Sequence, residues 1–267
     1  MINDVNLLPS ISVSSTINST RLLQKAELLA AKLDTHFAPK INQCETDVIL
    51  CYTEHGLQLH QRRDNKERMT LLLFVDFVNG KNGFRLAKNC TTKQPLARAV
   101  GIKPGFRPAV FDGTAGLGGD SFVLASLGCK VTLCERSSVI GALLEDGLER
   151  ALADSRTRTI VSENMHFISH DTISFLQRKT KQFDTVYLDP MYPHRDSSAL
   201  GKKTMRTIRA IVGDDLDSEQ LIQAAQSCAT SRIVVKRPAK APLLSARTPD
   251  HVIKMKSSRY DVYFERK

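Results

Sequence analysis

The alternation of hydrophobic and polar residues predicts a different architecture for each part of the chain. From residue 108 onward, short apolar runs typical of buried strands alternate with amphipathic runs typical of helices. The predicted strands are residues 109–113, 130–135, 165–171, 183–190 and 232–238, the predicted helices are residues 120–128, 137–154, 172–179 and 218–229, and residues 251–264 add two strand-like runs. This alternation indicates right-handed β-α-β units and an α/β fold around a mainly parallel sheet.

The first part of the chain has another pattern. Apolar residues at helical spacing predict a helix over residues 21–33, and alternating residues around Gly56 predict a hairpin over residues 46–62. A β-rich run over residues 70–80 ends at an Asn-Gly pair. We therefore expect a small N-terminal α+β region, residues 1–90, that supports the domain or faces its substrate, and an α/β domain at residues 91–267.

A glycine-rich stretch, VFDGTAGLGGDSF, follows the first predicted strand of the α/β domain. Gly116 and Gly118 permit positive φ and let a ligand approach the backbone at a helix N-terminus. Glu135 ends the next strand, 23 residues after Asp112, a spacing that suits a carboxylate bound to the ribose hydroxyls of an adenosine cofactor. NAD and S-adenosylmethionine both fit, but an acid before the loop, Asp112, suits the ammonium group of S-adenosylmethionine better than a diphosphate.

Two further acids have two interpretations each. Asp120 either is the N-cap or first-turn acid of the helix after the glycine loop or contacts the cofactor. Asp171, at the end of the third predicted strand, either contacts an adenine amino group or caps the next helix.

The segment LDPMYPH, residues 188–194, follows an apolar strand. Pro190 forces Asp189 into an extended conformation and stiffens the turn, so an acid and the ring of Tyr192 are held at the strand end. The segment resembles the [D/N]-P-P-[Y/F/W] motif of methyltransferases that act on exocyclic amino groups of nucleobases, with Met191 in place of the second proline. That resemblance makes Asp189, Pro190 and Tyr192 the candidate catalytic residues.

Several separated motifs together resemble a narrower family. The runs at residues 112–136, 186–194 and 234–238, with FVDFVNG (74–80) and LARAVGIK (96–103), are similar to the ribosomal small-subunit methyltransferase J family. The resemblance extends from about Thr70 to Phe264. It implies a Rossmann-like class I methyltransferase that uses S-adenosylmethionine to methylate N2 of a guanine in 16S rRNA, either as free RNA or in the small ribosomal subunit.

The resemblance also assigns cofactor contacts position by position. Gly119 stands where a relative has Arg, so a contact there would use the backbone, and Asp171 and Thr172 replace a Ser-Ser pair. Together with the glycine loop, the candidate cofactor-binding residues are Asp112, Gly116, Gly118, Gly119, Asp120, Glu135, Arg136, Asp171, Thr172 and Asp189.

The chain is basic, with a net charge of +10 and a pI of about 9.4, which favours an anionic partner such as nucleic acid. The charge is local: residues 195–209 carry a net charge of +4 and residues 232–267 a net charge of +7. Both segments are expected to contact RNA phosphates, although a charged helix face is also a common solvated surface. The candidate RNA-binding residues are Lys202, Lys203, Arg206, Arg209, Lys236 and Arg237.

Other classes of protein are disfavoured. The six cysteines form no C-x-x-C pair, so no metal site is expected, and no apolar run reaches the ~18 residues of a membrane span. The N-terminus does not resemble a secretory signal, so we expect a cytoplasmic protein with free thiols.

Three alternatives stay open at this point. One is an N6-adenine methyltransferase of DNA or RNA, and another is a non-catalytic RNA-binding assembly factor. An NAD oxidoreductase is disfavoured because no hydride-transfer histidine or Tyr-x-x-x-Lys pair accompanies the loop, and His194 after a proline turn is more typical of a solvated residue.

Overall fold

The chain forms two compact units, each built from separate stretches of sequence. The computed structural model describes residues 10–63, 66–79, 91–178, 182–190, 207–211, 218–245 and 247–265. The first unit contains the described residues of Met1–Val75, Ser137–Arg150 and His194–Asp214, and the second those of Asp76–Arg136, Ala151–Pro193 and Asp215–Lys267. The division into functional domains at residues 1–90 and 91–267 stays a prediction.

The first unit contains a five-stranded sheet in the order β2-β1-β3-β4-β5. Its strands are β1 (Ile11–Ser15), β2 (His36–Phe37), β3 (Val48–Thr53), β4 (Gly56–Arg63) and β5 (Lys66–Phe74), with helix α1 (Thr20–Lys32) and a 3₁₀ turn (Ile41–Gln43) between them. Strand β1 pairs in parallel with β2 and β3, whereas β3, β4 and β5 form an antiparallel meander. The predicted helix and the predicted hairpin, β3–β4, are both confirmed.

Most of one helix expected within the α/β domain belongs to this first unit. Helix α4 (Ser138–Ala153) presents the buried carboxylate of Asp146, whose Oδ2 accepts hydrogen bonds from the Leu57 backbone N–H at 3.0 Å and from Arg150 Nε at 2.8 Å. The Arg150 guanidinium lies 4.7 Å from the centroid of the Phe74 ring. These contacts join α4 to β4 and β5, so unit membership follows packing rather than chain order.

The second unit contains a seven-stranded sheet in the order β11-β12-β10-β9-β6-β7-β8. Its strands are β6 (Val110–Asp112), β7 (Val131–Glu135), β8 (Met165–Ser169), β9 (Phe183–Leu188), β10 (Ala229–Pro238), β11 (His251–Lys254) and β12 (Ser258–Phe264). Strands β6 to β10 are parallel, and β11 and β12 form an antiparallel pair beside β10. The mainly parallel α/β fold predicted from the sequence is confirmed.

Helices α2 (Pro95–Val100), α3 (Gly119–Ser126), α5 (Arg158–Asn164), α6 (Thr172–Gln177) and α7 (Ser218–Cys228) belong to this unit. The chain runs from β6 outward through β7 to β8 and then returns to β9 on the other side of β6. This return creates a topological switch point between β6 and β9, where α/β sheets bind ligands at the carboxyl ends of their strands.

Aromatic packing holds the two strands at the switch point together. The Phe111 ring, fully buried in β6, stacks on Phe175 at 5.3 Å between centroids and lies 5.0 Å from Phe183. Such pairs add about 0.5–1.5 kcal/mol beyond the burial of their area.

Within the part of the chain that the structure describes, five cysteines are buried free thiols: Cys44, Cys51, Cys129, Cys134 and Cys228. No helix in the described ranges combines the length and the apolar character needed to cross a membrane.

Candidate functional site

The glycine loop between β6 and α3 has the backbone that its sequence predicts. Gly116 has φ +53° and Gly118, the N-cap residue of α3, has φ +74°, both in the left-handed region that favours glycine. Gly119 begins α3. The loop therefore turns sharply and leads into a helix N-terminus, as the sequence predicts.

Glu135 fixes this loop in place. Its side chain is buried at the end of β7, and its Oε2 accepts a hydrogen bond from the Gly116 backbone N–H at 2.9 Å. A carboxylate offers about four lone-pair sites, so this bond leaves capacity for the hydroxyls of a ribose. Glu135 thus has a structural role in the loop beside its predicted role in binding the cofactor.

The start of the loop packs closely against its neighbours. A Cβ atom on Gly113 would lie 2.8 Å from Thr172 Cγ2 and 2.9 Å from Leu188 Cδ2, so only glycine fits. The Thr172 hydroxyl donates a hydrogen bond to the Gly113 carbonyl at 2.6 Å, which joins α6 to the loop. Thr172 therefore supports the loop, and its predicted contact with adenine stays a prediction.

Asp171 is the N-cap of α6, because its Oδ1 accepts a hydrogen bond from the Ser174 backbone N–H at 2.8 Å. Burial raises the pKa of this carboxyl, but the hydrogen bonds from Ser174 and the positive charge of Arg136 outweigh burial and hold the pKa below its ordinary value. The capping interpretation is thereby confirmed, and a further contact of Asp171 or Arg136 with the cofactor stays a prediction.

Asp112 is an internal brace of the loop. It is 2% exposed, its Oδ2 accepts a hydrogen bond from the Ser121 hydroxyl at 2.6 Å, and its Oδ1 accepts one from the Thr114 N–H at 3.2 Å. Burial raises the pKa of Asp112 to about 7, although both hydrogen bonds oppose that shift. A substantial fraction of this carboxyl group is therefore neutral near pH 7.

A cluster of four side chains lies at the carboxyl ends of β9 and β10, and we call it the carboxylate–lysine cluster: Tyr187, Asp120, Lys236 and Asp189. Lys236 Nζ lies 2.9 Å from Asp120 Oδ2 and 2.8 Å from Asp189 Oδ2. The hydroxyl of Tyr187 donates a hydrogen bond to Asp120 Oδ2 at 2.7 Å. One ammonium group thus bridges the first turn of α3 and the predicted catalytic acid.

The electrostatics of the cluster agree with this arrangement. Burial alone would lower the pKa of Lys236, but the two carboxylates raise it above its ordinary value. Burial, reinforced by the charges of Asp120 and Asp189, raises the pKa of Tyr187 well above its ordinary value, so its hydroxyl stays protonated and donates. The cluster therefore combines the carboxyl groups of Asp120 and Asp189 with the ammonium group of Lys236 and the protonated hydroxyl of Tyr187.

The backbone of Asp189 is anchored separately. Its N–H donates a hydrogen bond to the Thr114 hydroxyl at 2.6 Å, which joins the end of β9 to the glycine loop. Pro190 follows and is buried. Sequence reasoning missed Thr114, Ser121 and Tyr187. The partners of Thr114 and Tyr187 are 75 and 67 residues away along the chain, and the bond of Ser121 to Asp112 depends on how the loop folds back onto β6.

The structure gives two of the predicted RNA-binding residues, Lys236 and Arg237, partners within the protein. Lys236 lies in the carboxylate–lysine cluster, and Arg237 is 3% exposed and donates a hydrogen bond to the Pro242 carbonyl at 2.9 Å, which argues against a direct phosphate contact. Arg209 is half-buried in the first unit. The other three RNA-binding candidates, Lys202, Lys203 and Arg206, fall outside the described residues, and so do the candidate catalytic residue Tyr192 and the neighbouring His194.

The described residues offer no group of three or more His, Cys, Asp or Glu side chains arranged to hold a metal ion. Instead, the edge of the sheet at the switch point gathers a positive-φ glycine loop, the buried carboxylate of Glu135 and the carboxylate–lysine cluster. These carboxylates suit a ligand that carries hydroxyl groups and positive charge, because they accept hydrogen bonds from hydroxyl groups and attract positive charge.

Comparison with known proteins identifies similar chains. A family model described as putative SAM-dependent methyltransferase matches residues 32–265. A protein of Desulfotalea psychrophila named ribosomal RNA small subunit methyltransferase J is 47% identical over 254 residues, which cover 95% of this chain and 96% of that protein. A protein of the same name from Thioalkalivibrio sulfidiphilus is 46% identical over 253 residues, which cover 94% of this chain and 97% of that protein.

The fold also resembles a solved structure. A SAM-dependent methyltransferase from Neisseria gonorrhoeae superimposes with a TM-score of 0.67 at 26% sequence identity, covering 94% of this chain and 95% of the other. The similarity extends over both units rather than over the α/β sheet alone.

The raised pKa of Asp112 generates a prediction for stability. The carboxyl ionises near pH 4 in the unfolded chain but near pH 7 in the ligand-free folded protein, so the folded state binds the extra proton between these values. Stability from this group is complete below pH 4 and is lost as the pH rises through 7. Asp112→Asn should therefore gain stability relative to wild type between pH 4 and pH 8, by up to roughly 4 kcal/mol.

Urea unfolding of both proteins across this pH range measures the difference. A difference in unfolding free energy that does not change with pH would show that Asp112 is ionised throughout.

Proposed function

Because the chain belongs to the ribosomal RNA small subunit methyltransferase J family, we propose that it transfers a methyl group from S-adenosylmethionine to the exocyclic N2 of a guanine in 16S rRNA. The observation that carries the proposal is the position of Asp189, whose backbone is bonded to the glycine loop and whose side chain is bonded to Lys236. The predicted acid for the base and the predicted cofactor loop therefore lie at one edge of the sheet.

The residues at this edge fit S-adenosylmethionine. Glu135 would accept hydrogen bonds from the ribose while it holds Gly116, and the backbone of Gly118 and Gly119 would line the cofactor at the start of α3. The remaining predicted contacts extend along the carboxyl ends of β6, β7 and β8: Asp112, Asp120, Arg136, Asp171 and Thr172. The bound cofactor supplies a methyl group activated by a sulfonium.

Asp189 would orient the base. The lone pair of guanine N2 is delocalised into the ring, so the amine is a weak nucleophile that must be aligned with the methyl group. The carboxylate of Asp189 would accept a hydrogen bond from N2–H and hold that alignment, and positioning of this kind can supply up to ~7–11 kcal/mol of barrier reduction. The bound cofactor would supply the methyl group for the new N–CH₃ bond and keep the electron pair of its broken S–CH₃ bond, and Asp189 or water would take one N2 proton.

Two neighbouring residues complete the proposed base site. Pro190 keeps Asp189 extended, and Tyr192, which lies outside the described residues, would stack on a guanine that is unpaired or flipped out of its helix. The substrate is either free 16S rRNA or the small ribosomal subunit, and we place the reaction in the cytoplasm.

Exposed lysines extend from the same edge of the sheet. Lys240 is exposed in the turn after β10, Lys254 at the end of β11 and Lys256 in the turn after β11. Ser258 of β12 pairs with Pro238 at the carboxyl end of β10, and the Ala239 N–H donates a hydrogen bond to the Ser257 carbonyl at 3.1 Å. These three lysines, the lysine rim, therefore lie at the carboxyl end of β10, as Lys236 does, and we propose that they contact RNA phosphates.

A methyl-transfer assay tests the proposed function. Wild-type protein, labelled S-adenosylmethionine and rRNA or small subunits from a strain without the enzyme should yield N2-methylguanosine on nucleoside mass spectrometry. Asp189→Asn keeps the shape of the side chain but removes its charge, and it should lower the rate by about 100-fold or more. Asp184→Asn, at the amino end of the same strand, is the matched control and should keep the wild-type rate.

The products decide between the alternatives. N6-methyladenosine would overturn the assignment of the base. RNA binding by the wild-type protein without methyl transfer would favour the assembly factor over the enzyme.

The lysine rim has its own test. Replacing Lys240, Lys254 and Lys256 by Gln should weaken RNA binding and lower the slope of log affinity against log salt by about 2–3, since each phosphate contact contributes about 0.7–0.9. The control replaces Lys103, Lys130 and Arg178 by Gln, three exposed residues that precede the amino ends of parallel strands. Both variants lose three positive charges, so equal salt slopes in the two variants would contradict the proposed surface.

A further inference from the structure

We propose that Lys236 is a positioning residue that holds Asp120 and Asp189 in one charged unit and thereby sets the orientation of the carboxylate that receives the guanine amine. This inference rests on the proposed function. It differs from the prediction made from the sequence, in which Lys236 contacts RNA, and it adds a residue outside the acid–proline–aromatic motif to the reaction.

The geometry gives Lys236 two simultaneous partners. Its ammonium group carries three donors and lies 2.9 Å from Asp120 Oδ2 and 2.8 Å from Asp189 Oδ2. Its side chain is 28% exposed, and the partner side chains are 22% and 39% exposed, so water screens these pairs less than a pair on the open surface. The ammonium is therefore held between the two carboxylates.

The charges of the cluster argue against a phosphate as the partner of Lys236. Two carboxylates and one ammonium leave a local net charge of −1, which repels the RNA backbone. The same charge attracts a cationic methyl donor. A phosphate that bound Lys236 would also have to displace two ion pairs with nearly ideal distances.

The side chain and the backbone of Asp189 are anchored from different elements. Lys236 on β10 holds the carboxylate, and the Thr114 hydroxyl in the glycine loop accepts a hydrogen bond from the backbone N–H. On the other side of the cluster, the buried Tyr187 hydroxyl holds Asp120. Hydrogen bonds thus connect β9, α3 and β10, so removing the ammonium releases the carboxylate while the backbone stays in place.

A change in pH dependence distinguishes positioning from a merely structural role. The described titratable groups that belong to this cluster or act on it include Asp112 on β6, Asp120 on α3, Tyr187 on β9, Asp189 after β9, Lys236 on β10 and Tyr260 on β12. A neighbouring cation favours the ionised form of a carboxyl group, so without Lys236 the acceptor is lost at a higher pH. The Asp112 carboxyl is present in both wild type and variant, so the difference between the two profiles reports on the removal of Lys236.

The experiment measures kcat and the KM for RNA against pH in four proteins. Lys236→Gln should lower kcat by about 100-fold, leave the KM for RNA within about threefold, and move the acidic limb of the kcat profile upward by about 1 pH unit or more. Lys236→Arg keeps the charge and should return the acidic limb to its wild-type position. Lys130→Gln removes an exposed ammonium that donates a hydrogen bond to the Glu163 carbonyl, and it should behave as wild type.

Three results would overturn the proposal. Wild-type kcat in Lys236→Gln would show that the ammonium is dispensable. A lower kcat with an unmoved acidic limb would show a structural role only. An increased KM for RNA with a flatter salt dependence and an unchanged kcat would return Lys236 to RNA binding.

Thermal melting of each variant separates misfolding from loss of chemistry. If Lys236→Gln does not fold, Lys236→Arg alone decides the question, because a moved acidic limb with the charge retained contradicts the proposal. Failure of the wild-type protein to methylate rRNA at any pH would instead overturn the proposed function, so the two failures are distinguishable.

Discussion

The parallel pairing of β6 with β9 is the constraint on which the candidate site depends. Asp112 lies opposite Tyr187 in this pairing, so the loop that leaves β6 and the motif that leaves β9 begin side by side. Neither segment forms the proposed site alone, because the glycine loop lacks the acceptor proposed for a base and the Asp-Pro pair lacks the backbone proposed to hold the cofactor. The aromatic contacts of Phe111 with Phe175 and Phe183 stabilise the strands on which this arrangement is built.

Strand β10 supplies Lys236, whose positive charge pairs with Asp120 and Asp189. Val235 lies opposite Leu188 in the pairing of β10 with β9. The residues that follow them, Lys236 and Asp189, therefore meet at the carboxyl edge of the sheet. Two acids so close together would repel each other without an intervening cation. The ammonium of Lys236 therefore lets the protein keep Asp120 at the start of α3 and Asp189, the proposed acceptor for the base, close together at the same edge of the sheet.

The sequence predicted the parts of the site that depend on local spacing. The positive-φ glycines follow from the glycine spacing, the acid at the end of β7 from its distance of 23 residues after Asp112, and the position of Asp189 from the Asp-Pro pair that follows an apolar strand. It did not predict the partners of Lys236 or the bond between Tyr187 and Asp120, because these depend on the register of strands that are distant along the chain. The N-terminal part of α4 likewise joins the first unit through Asp146 and Leu57, a contact that no local pattern encodes.

The net charge of a sequence segment does not by itself identify the residues that contact RNA. Lys236 and Arg237 lie in a basic segment, but one is held by two carboxylates and the other is buried against a backbone carbonyl. The exposed lysines of the same segment lie in its turns and at the end of β11, and sequence composition could not distinguish them from the others. The burial and the partners of a positively charged residue at a strand end must therefore be known before that residue is assigned to an RNA-binding surface.

The central claim is that Asp120 and Lys236 act as one unit in methyl transfer. Single-turnover rates of the wild type, Asp120→Asn, Lys236→Gln and the double variant test it most directly. Residues that act as a unit are strongly non-additive, so the double variant should be about as slow as the slower single variant. If the two losses multiply in the double variant, the residues act independently, and the account of the carboxylate–lysine cluster is wrong.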